Sequence, residues 1–150
     1  MIRDDGDIES DVIHRIKAAW TKWRAAIGIL CNRRYPIRLK GKFYKTAIRP
    51  AMMYGSECWP MRVAHVQKFE VAEMRMLRWM CRCTLMDRIP NSVYREQLGV
   101  APIGDKFREG RLRWFGHVRR RQATKPARRV EGIQVIGTRG RERLRRTWED

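Results

Sequence analysis

Between Gly110 and Arg121 the chain reads Gly110-Arg111-Leu112-Arg113-Trp114-Phe115-Gly116-His117-Val118-Arg119-Arg120-Arg121. Guanidinium groups alternate there with two large aromatics. That pattern suits nucleic acid, because phosphates need fixed positive charge and unpaired bases need flat surfaces to stack on. Trp114 and Phe115 also fall on apolar positions of a helix, so they read equally as core anchors beneath an arginine face. A second basic stretch, Gly137 to Trp148, sets Arg139, Arg141, Arg143, Arg145 and Arg146 among Gly and Thr. Segments of this composition bind phosphate chains with little sequence preference and order on binding. Arg128 and Arg129 lie between the two stretches. The candidate nucleic-acid-binding residues are therefore Arg111, Arg113, Arg119, Arg120, Arg121, Arg128, Arg129, Arg139, Arg141, Arg143, Arg145 and Arg146, with Trp148 as a further stacker.

Other reactive groups form weaker patterns. Asp4 and Asp5 are adjacent, as in magnesium sites. Two-metal chemistry, however, needs carboxylates on a rigid scaffold around ions about 4 Å apart. At the start of this chain the pair reads as a solvated acidic turn, and no catalytic residue is assigned. Cys81-x-Cys83 is the only close cysteine spacing, tighter than structural zinc sites use. Cys58, His65 and His117 are the candidate completing ligands, and the alternative is four small side chains on buried helix faces. His14 and His65 read as surface or boundary histidines. No glycine-rich phosphate loop and no hydrolase or zinc-protease motif occurs, so neither a cofactor nor a small-molecule substrate is expected.

The composition agrees with a polyanion partner. The 150 residues carry 34 Lys+Arg against 16 Asp+Glu, a formal net charge of +18. Of the basic residues 26 are Arg, whose planar fork grips phosphate oxygens better than an ammonium does. Acids cluster at the start, where residues 1–11 hold five of them, and residues 106–150 are net +10. At 43% hydrophobic with 6 Trp, the chain is too apolar to be a disordered basic tail throughout. No apolar run reaches transmembrane length and no signal peptide is evident. The expectation is a nuclear or cytoplasmic protein, neither secreted nor membrane-bound, of undetermined oligomeric state.

Helical periodicity supplies the scaffold. Ile13, Ile16, Trp20, Trp23, Ile27 and Leu30 recur at steps of three and four, predicting a helix capped by Ser10 and ended before Tyr35-Pro36. A second helix is predicted over 37–49 with Leu39, Phe43, Ala47 and Ile48 inside. Pro50 kinks or stops it, and a short limb runs on to Gly55. A third covers 63–83, with Val66, Phe69, Ala72, Met76, Leu77 and Met80 inside. A fourth is capped by Asn91 and closed by Gly99. A fifth starts near Asp105 and turns Phe107, Leu112, Trp114, Phe115 and Val118 inward. Only Gly132 to Ile136 alternates as a strand would. The prediction is an all-α fold: a small bundle of about five helices in residues 10–121, an acidic lead-in over 1–9 and a flexible Arg-rich extension over 122–150.

Three blocks carry a resemblance. Lys40-Gly41-Lys42-Phe43-Tyr44 through Cys58-Trp59, Ala72-Glu73-Met74 through Met80-Cys81, and Arg111-Leu112-Arg113-Trp114-Phe115-Gly116-His117 resemble, in order, the region after the polymerase palm in plant LINE-type (non-LTR) retrotransposon reverse transcriptases. The ending Arg139-Gly140-Arg141 through Trp148-Glu149-Asp150 is similar to a Gly-Arg-Gly-Arg-Pro block of that family. Two departures stand out. Cys81-Arg82-Cys83 replaces a usual Cys-Gly-His, and Glu142 and Leu144 replace Gly and Pro. The resemblance implies a thumb-like helical domain that holds RNA template and DNA primer or target. It also implies that the metal-binding Tyr-x-Asp-Asp box belongs upstream of this chain, which would then not be a polymerase by itself. A free-standing nucleic-acid-binding protein from a domesticated copy, or a decayed product without function, are the alternatives.

Overall fold

The computed structural model describes residues 8–122 and 124–129, and among them it is all-helical, without strands. Asp4, Asp5, the Gly132–Ile136 stretch, Arg139, Arg141, Arg143, Arg145, Arg146 and Trp148 lie outside the described residues, as does the side chain of Arg129. The helices are α1 (Glu9–Ala25), α2 (Ile27–Leu30), α3 (Ile37–Phe43), α4 (Arg49–Met53), α5 (Val63–Cys81), α6 (Asn91–Leu98), α7 (Ile103–Arg119) and α8 (Pro126–Arg129). The chain divides into two units, residues 1–115 and 116–150. The first is built around α5, against which α1, α3 and α6 pack, while α1 also lies along α4.

The first helix differs from its apolar stripe. Ile8, Val12, Ala19, Trp23 and Leu30 are buried, whereas Ile13 and Ile27 are 42% and 43% exposed. Trp23 and Leu30 keep their predicted places and Ile16 and Trp20 pack half-buried against the core, while Val12 and Ala19 take the deepest positions beside them. Ile8, 1% exposed, draws the helix start back to itself. Ile8 is the N-cap in place of Ser10, which sits inside the first turn. Glu9 and Asp11 in that turn favour the positive end of the helix dipole.

The second predicted helix is three pieces: α3, a π-helical turn over Tyr44–Ile48, and α4. Proline has no N–H to donate and its ring crowds the carbonyl one turn back. The wide turn just before Pro50 absorbs both, so the chain continues as a short limb until Gly55, whose φ of +74° is left-handed. The deepest positions are Lys40, Gly41, Tyr44 and Ile48, with Phe43 and Ala47 packed against the core beside them and Leu39 turned outward. Leu39 is exposed, while Phe43 and Ala47 are half-buried. A Cβ at Gly41 would stand 1.8 Å from the Leu98 carbonyl oxygen, so α3 crosses α6 backbone to backbone.

The third helix follows its predicted face, with Phe69, Ala72, Met76, Leu77 and Met80 all buried and only Val66 half-exposed. It ends at Cys81, two residues early, because Arg82 turns left-handed at φ +60°. His65 is buried, contrary to expectation. Its Nδ1 accepts the Arg62 N–H at 3.2 Å, closing the start of α5, and its Nε2 lies 3.5 Å from Glu9. Pro90, not Asn91, is the N-cap of α6, and Gly99 closes that helix at φ +64° as expected. In α7, which begins at Ile103, Phe107 is buried against Phe69 with ring centroids 4.9 Å apart. Leu112 is 57% exposed and Trp114 38%, so neither is a core anchor.

Candidate nucleic-acid interface

A polar cluster centred on Glu73 lies in the interior of the first unit. Glu73 on α5 is fully buried, and its carboxylate accepts four hydrogen bonds. Oε1 takes the Tyr44 hydroxyl at 3.0 Å and Arg49 Nη2 at 2.9 Å, and Oε2 takes Arg95 Nη1 at 2.6 Å and the Ile103 N–H at 3.1 Å. Arg49, itself buried, also donates to the Ala101 carbonyl at 2.5 Å and lies 5.3 Å over the Tyr44 ring. A buried carboxylate is tolerated when its lone pairs are filled and its charge is countered, and both conditions are met. Burial, with the Glu73 charge adding, raises the Tyr44 phenol well above its ordinary value, so Tyr44 stays a neutral donor. The cluster joins the π turn, α4, α5, α6 and α7, which makes it a clamp rather than a reactive centre.

Two further groups fix the far end of α5. Lys40 is buried, and its ammonium reaches the Met80 carbonyl at 3.5 Å, a cation where the helix dipole is negative. Beside it, burial pushes the Cys81 thiol up to about 11, with Cys83 adding and Lys40 opposing. Among the described residues, no three His, Cys, Asp or Glu side chains come together to hold a metal ion. Nor is any described helix long and apolar enough to cross a membrane.

The outward face of α5 is different. A groove of about 990 Å³ runs along it, between Val71, Arg75, Arg78 and Trp79 on one side and Leu85, Asn91 and Arg95 on the other. Trp79 is 54% exposed. Its ring meets Trp23 and Trp20 edge-on at centroid distances of 5.3 and 6.3 Å, so it is held in place while still open to solvent. Arg78 is positioned by the Asn91 side chain at 2.7 Å and lies 6.0 Å over the Tyr94 ring. Arg75 is exposed and makes no ion pair with a described residue. A fixed aromatic face beside guanidinium groups can stack a base and hold its phosphate. Sequence reasoning missed this groove. Arg75, Arg78 and Trp79 sit in the Ala72–Cys81 block, where Trp79 passes for one more core aromatic. The available signal was the outer stripe at 71, 75, 78 and 79, complementary to the apolar one.

The residues proposed from sequence are distributed as follows. In the first unit, Arg111 is half-buried, and Arg113 is exposed but bound to Glu109 at 2.7 Å. The Lys106 hydrogen bond, then its charge and that of Arg113, pull Glu109 below its ordinary value. This stretch of α7 is thus partly neutralised by its own acid. In the second unit, Arg119, Arg120 and Arg121 are exposed at the end of α7, with Arg120 Nη2 3.3 Å from His117 Nδ1, and Arg128 is half-buried. Comparison with protein-family profiles, curated proteins and solved structures returned no match.

Proposed function

We propose that this chain binds nucleic acid, as the helical thumb-like part and basic extension of a LINE-type reverse transcriptase that holds RNA template and DNA primer or target. The observation that carries the reading is the charge. An excess of 18 positive charges on 150 residues, most of them arginine, requires a polyanion partner or a dense counter-ion atmosphere. The α5 groove gives that charge a place to act on unpaired bases, through Trp79 and Arg75. On this reading the protein works in the nucleus or cytoplasm, takes no small-molecule substrate and performs no polymerisation by itself.

The test is fluorescence anisotropy with labelled 20-nucleotide single strands and matching duplexes, of DNA and of RNA. The wild-type chain should bind all of them. Trp79→Ala should weaken single strands by about tenfold, in keeping with the loss of one stacked base, and change duplex binding much less. Equal losses on both ligands, or no binding by the wild type at moderate salt, would contradict the proposal.

A further inference from the structure

We propose that Arg33, Arg34 and Arg82 form a seat for one backbone phosphate of a nucleic-acid strand, an inference that rests on the function proposed above. Arg82 caps the C-terminus of α5 with φ +60° and ψ 31°. Only glycine adopts that left-handed conformation without penalty. An arginine kept in a strained position points to what its side chain does there. Its Nε donates to the Cys31 carbonyl at 3.4 Å, which folds the guanidinium back onto the turn after α2 instead of letting it trail into solvent. That turn is pinned in its own right, the Arg34 N–H donating to the Asn32 side chain at 2.9 Å.

The result is a shallow depression of about 450 Å³ lined by Ile27, Gly28, Cys31, Asn32 and the three arginines. No carboxylate lines it, and none of the three guanidinium groups makes an ion pair with a described residue. The contrast with α7 is direct, since Lys106 and Arg113 there share Glu109. Three like charges gathered on one side of a small surface repel each other, and an anion between them reverses the sign of that interaction. With Nε of Arg82 tied to the backbone, its terminal nitrogens remain for a ligand. A guanidinium fork matches two oxygens of a phosphate. Space is available too: nothing stands within 4 Å of where a Gly28 side chain would begin.

The experiment uses the full chain, a labelled 20-nucleotide oligothymidylate and three variants. Arg82→Gly removes the guanidinium and relieves the backbone, so it should fold at least as well as the wild type. It should lower affinity by about tenfold, the usual size for one lost charge-assisted bond, and make the salt slope shallower by about 0.7. Arg33→Gln with Arg34→Gln should lower affinity further. Lys22→Gln, an exposed lysine on α1 outside both sites, corrects for net charge and should change little. A loss for Lys22→Gln equal to that for Arg82→Gly would reduce the seat to bulk charge and overturn it. Oligothymidylate should shift the Nε–H resonance of Arg82, and inorganic phosphate should shift it only at much higher concentration. A shift with inorganic phosphate but not with the strand would overturn the assignment to a nucleic-acid backbone. Unchanged binding by Arg82→Gly in a wild type that does bind refutes the seat alone. A wild type that does not bind at all refutes the function on which it rests.

Discussion

Glu73 accepts hydrogen bonds from a phenol, two guanidinium groups and a backbone amide, and each donor comes from a different segment. Removing its carboxylate leaves Arg49 buried without its counter-charge, the costly half of a broken buried pair. Glu73→Ala should therefore destabilise by about 3–5 kcal/mol in urea unfolding followed by circular dichroism, and an unchanged midpoint would show that the clamp is ornamental. Apolar periodicity could not reveal this residue, because counting hydrophobic positions treats every carboxylate as an outer-face group. The tryptophans were legible in type but not in depth. Trp23 is fully buried, with Trp20 and Trp79 edge-on to it, so Trp23→Ala should cost about 3–5 kcal/mol and Trp20→Ala, half-buried, distinctly less. Cys81 offers a chemical test. With its thiol raised to about 11, only about one molecule in a thousand is thiolate at pH 8, since each unit of pH below the pKa is a factor of ten. Iodoacetamide at pH 8 should modify the exposed Cys58 first and the half-buried Cys81 much more slowly. The raised value also means that this group favours the folded state below pH 9 and loses that contribution as pH climbs toward 11. Equal labelling of Cys58 and Cys81 in the native protein would contradict the burial.

At the scale of elements, existence and order were readable, as was the buried face of α5, while the faces of the first two helices were readable only in part. Each of the five predicted helical regions is present, and Gly55 and Gly99 end helices as their type suggests. In the first two helices Ile13, Ile27 and Leu39 turn outward, because small or polar residues take some of the deepest positions. Ala19 is fully buried, Gly41 lets α3 touch the α6 backbone, and Lys40 is buried against a helix end. Gly41→Ala should be among the most damaging small substitutions in the chain. Its methyl meets a backbone carbonyl that cannot rotate away, so two helices must separate, at a cost beyond the usual 1–3 kcal/mol of overpacking. A thermal midpoint within a degree or two of wild type would place α3 elsewhere. Arg82→Gly has the opposite sign. Relief of a left-handed arginine should stabilise by about 1 kcal/mol, partly offset by glycine's freedom in the unfolded chain.

For the whole molecule the dominant fact is an excess of arginine that internal pairing does not absorb. Composition alone suggests the partner class proposed above. It gives no sign of the Trp79 groove, which exists only once α5 has chosen which side to bury. Affinity that comes from arginine–phosphate contacts releases condensed counter-ions, so the logarithm of the binding constant falls linearly with the logarithm of salt, by about 0.7 per contact on a single strand. Replacing Arg139, Arg141, Arg143, Arg145 and Arg146 together by Gln should flatten that line for every sequence alike, since phosphates carry no base identity. The most direct test of nucleic-acid binding by the folded domain is the salt series itself, run on a 20-nucleotide single strand with the native chain and with an unstructured arginine-rich peptide of equal net charge. A helical domain with fixed arginines and a stacking Trp79 should bind more tightly than the peptide, and keep an advantage at high salt where pure counter-ion release has faded. Coincident lines for the two would show that the charge acts without the fold, and would contradict the account.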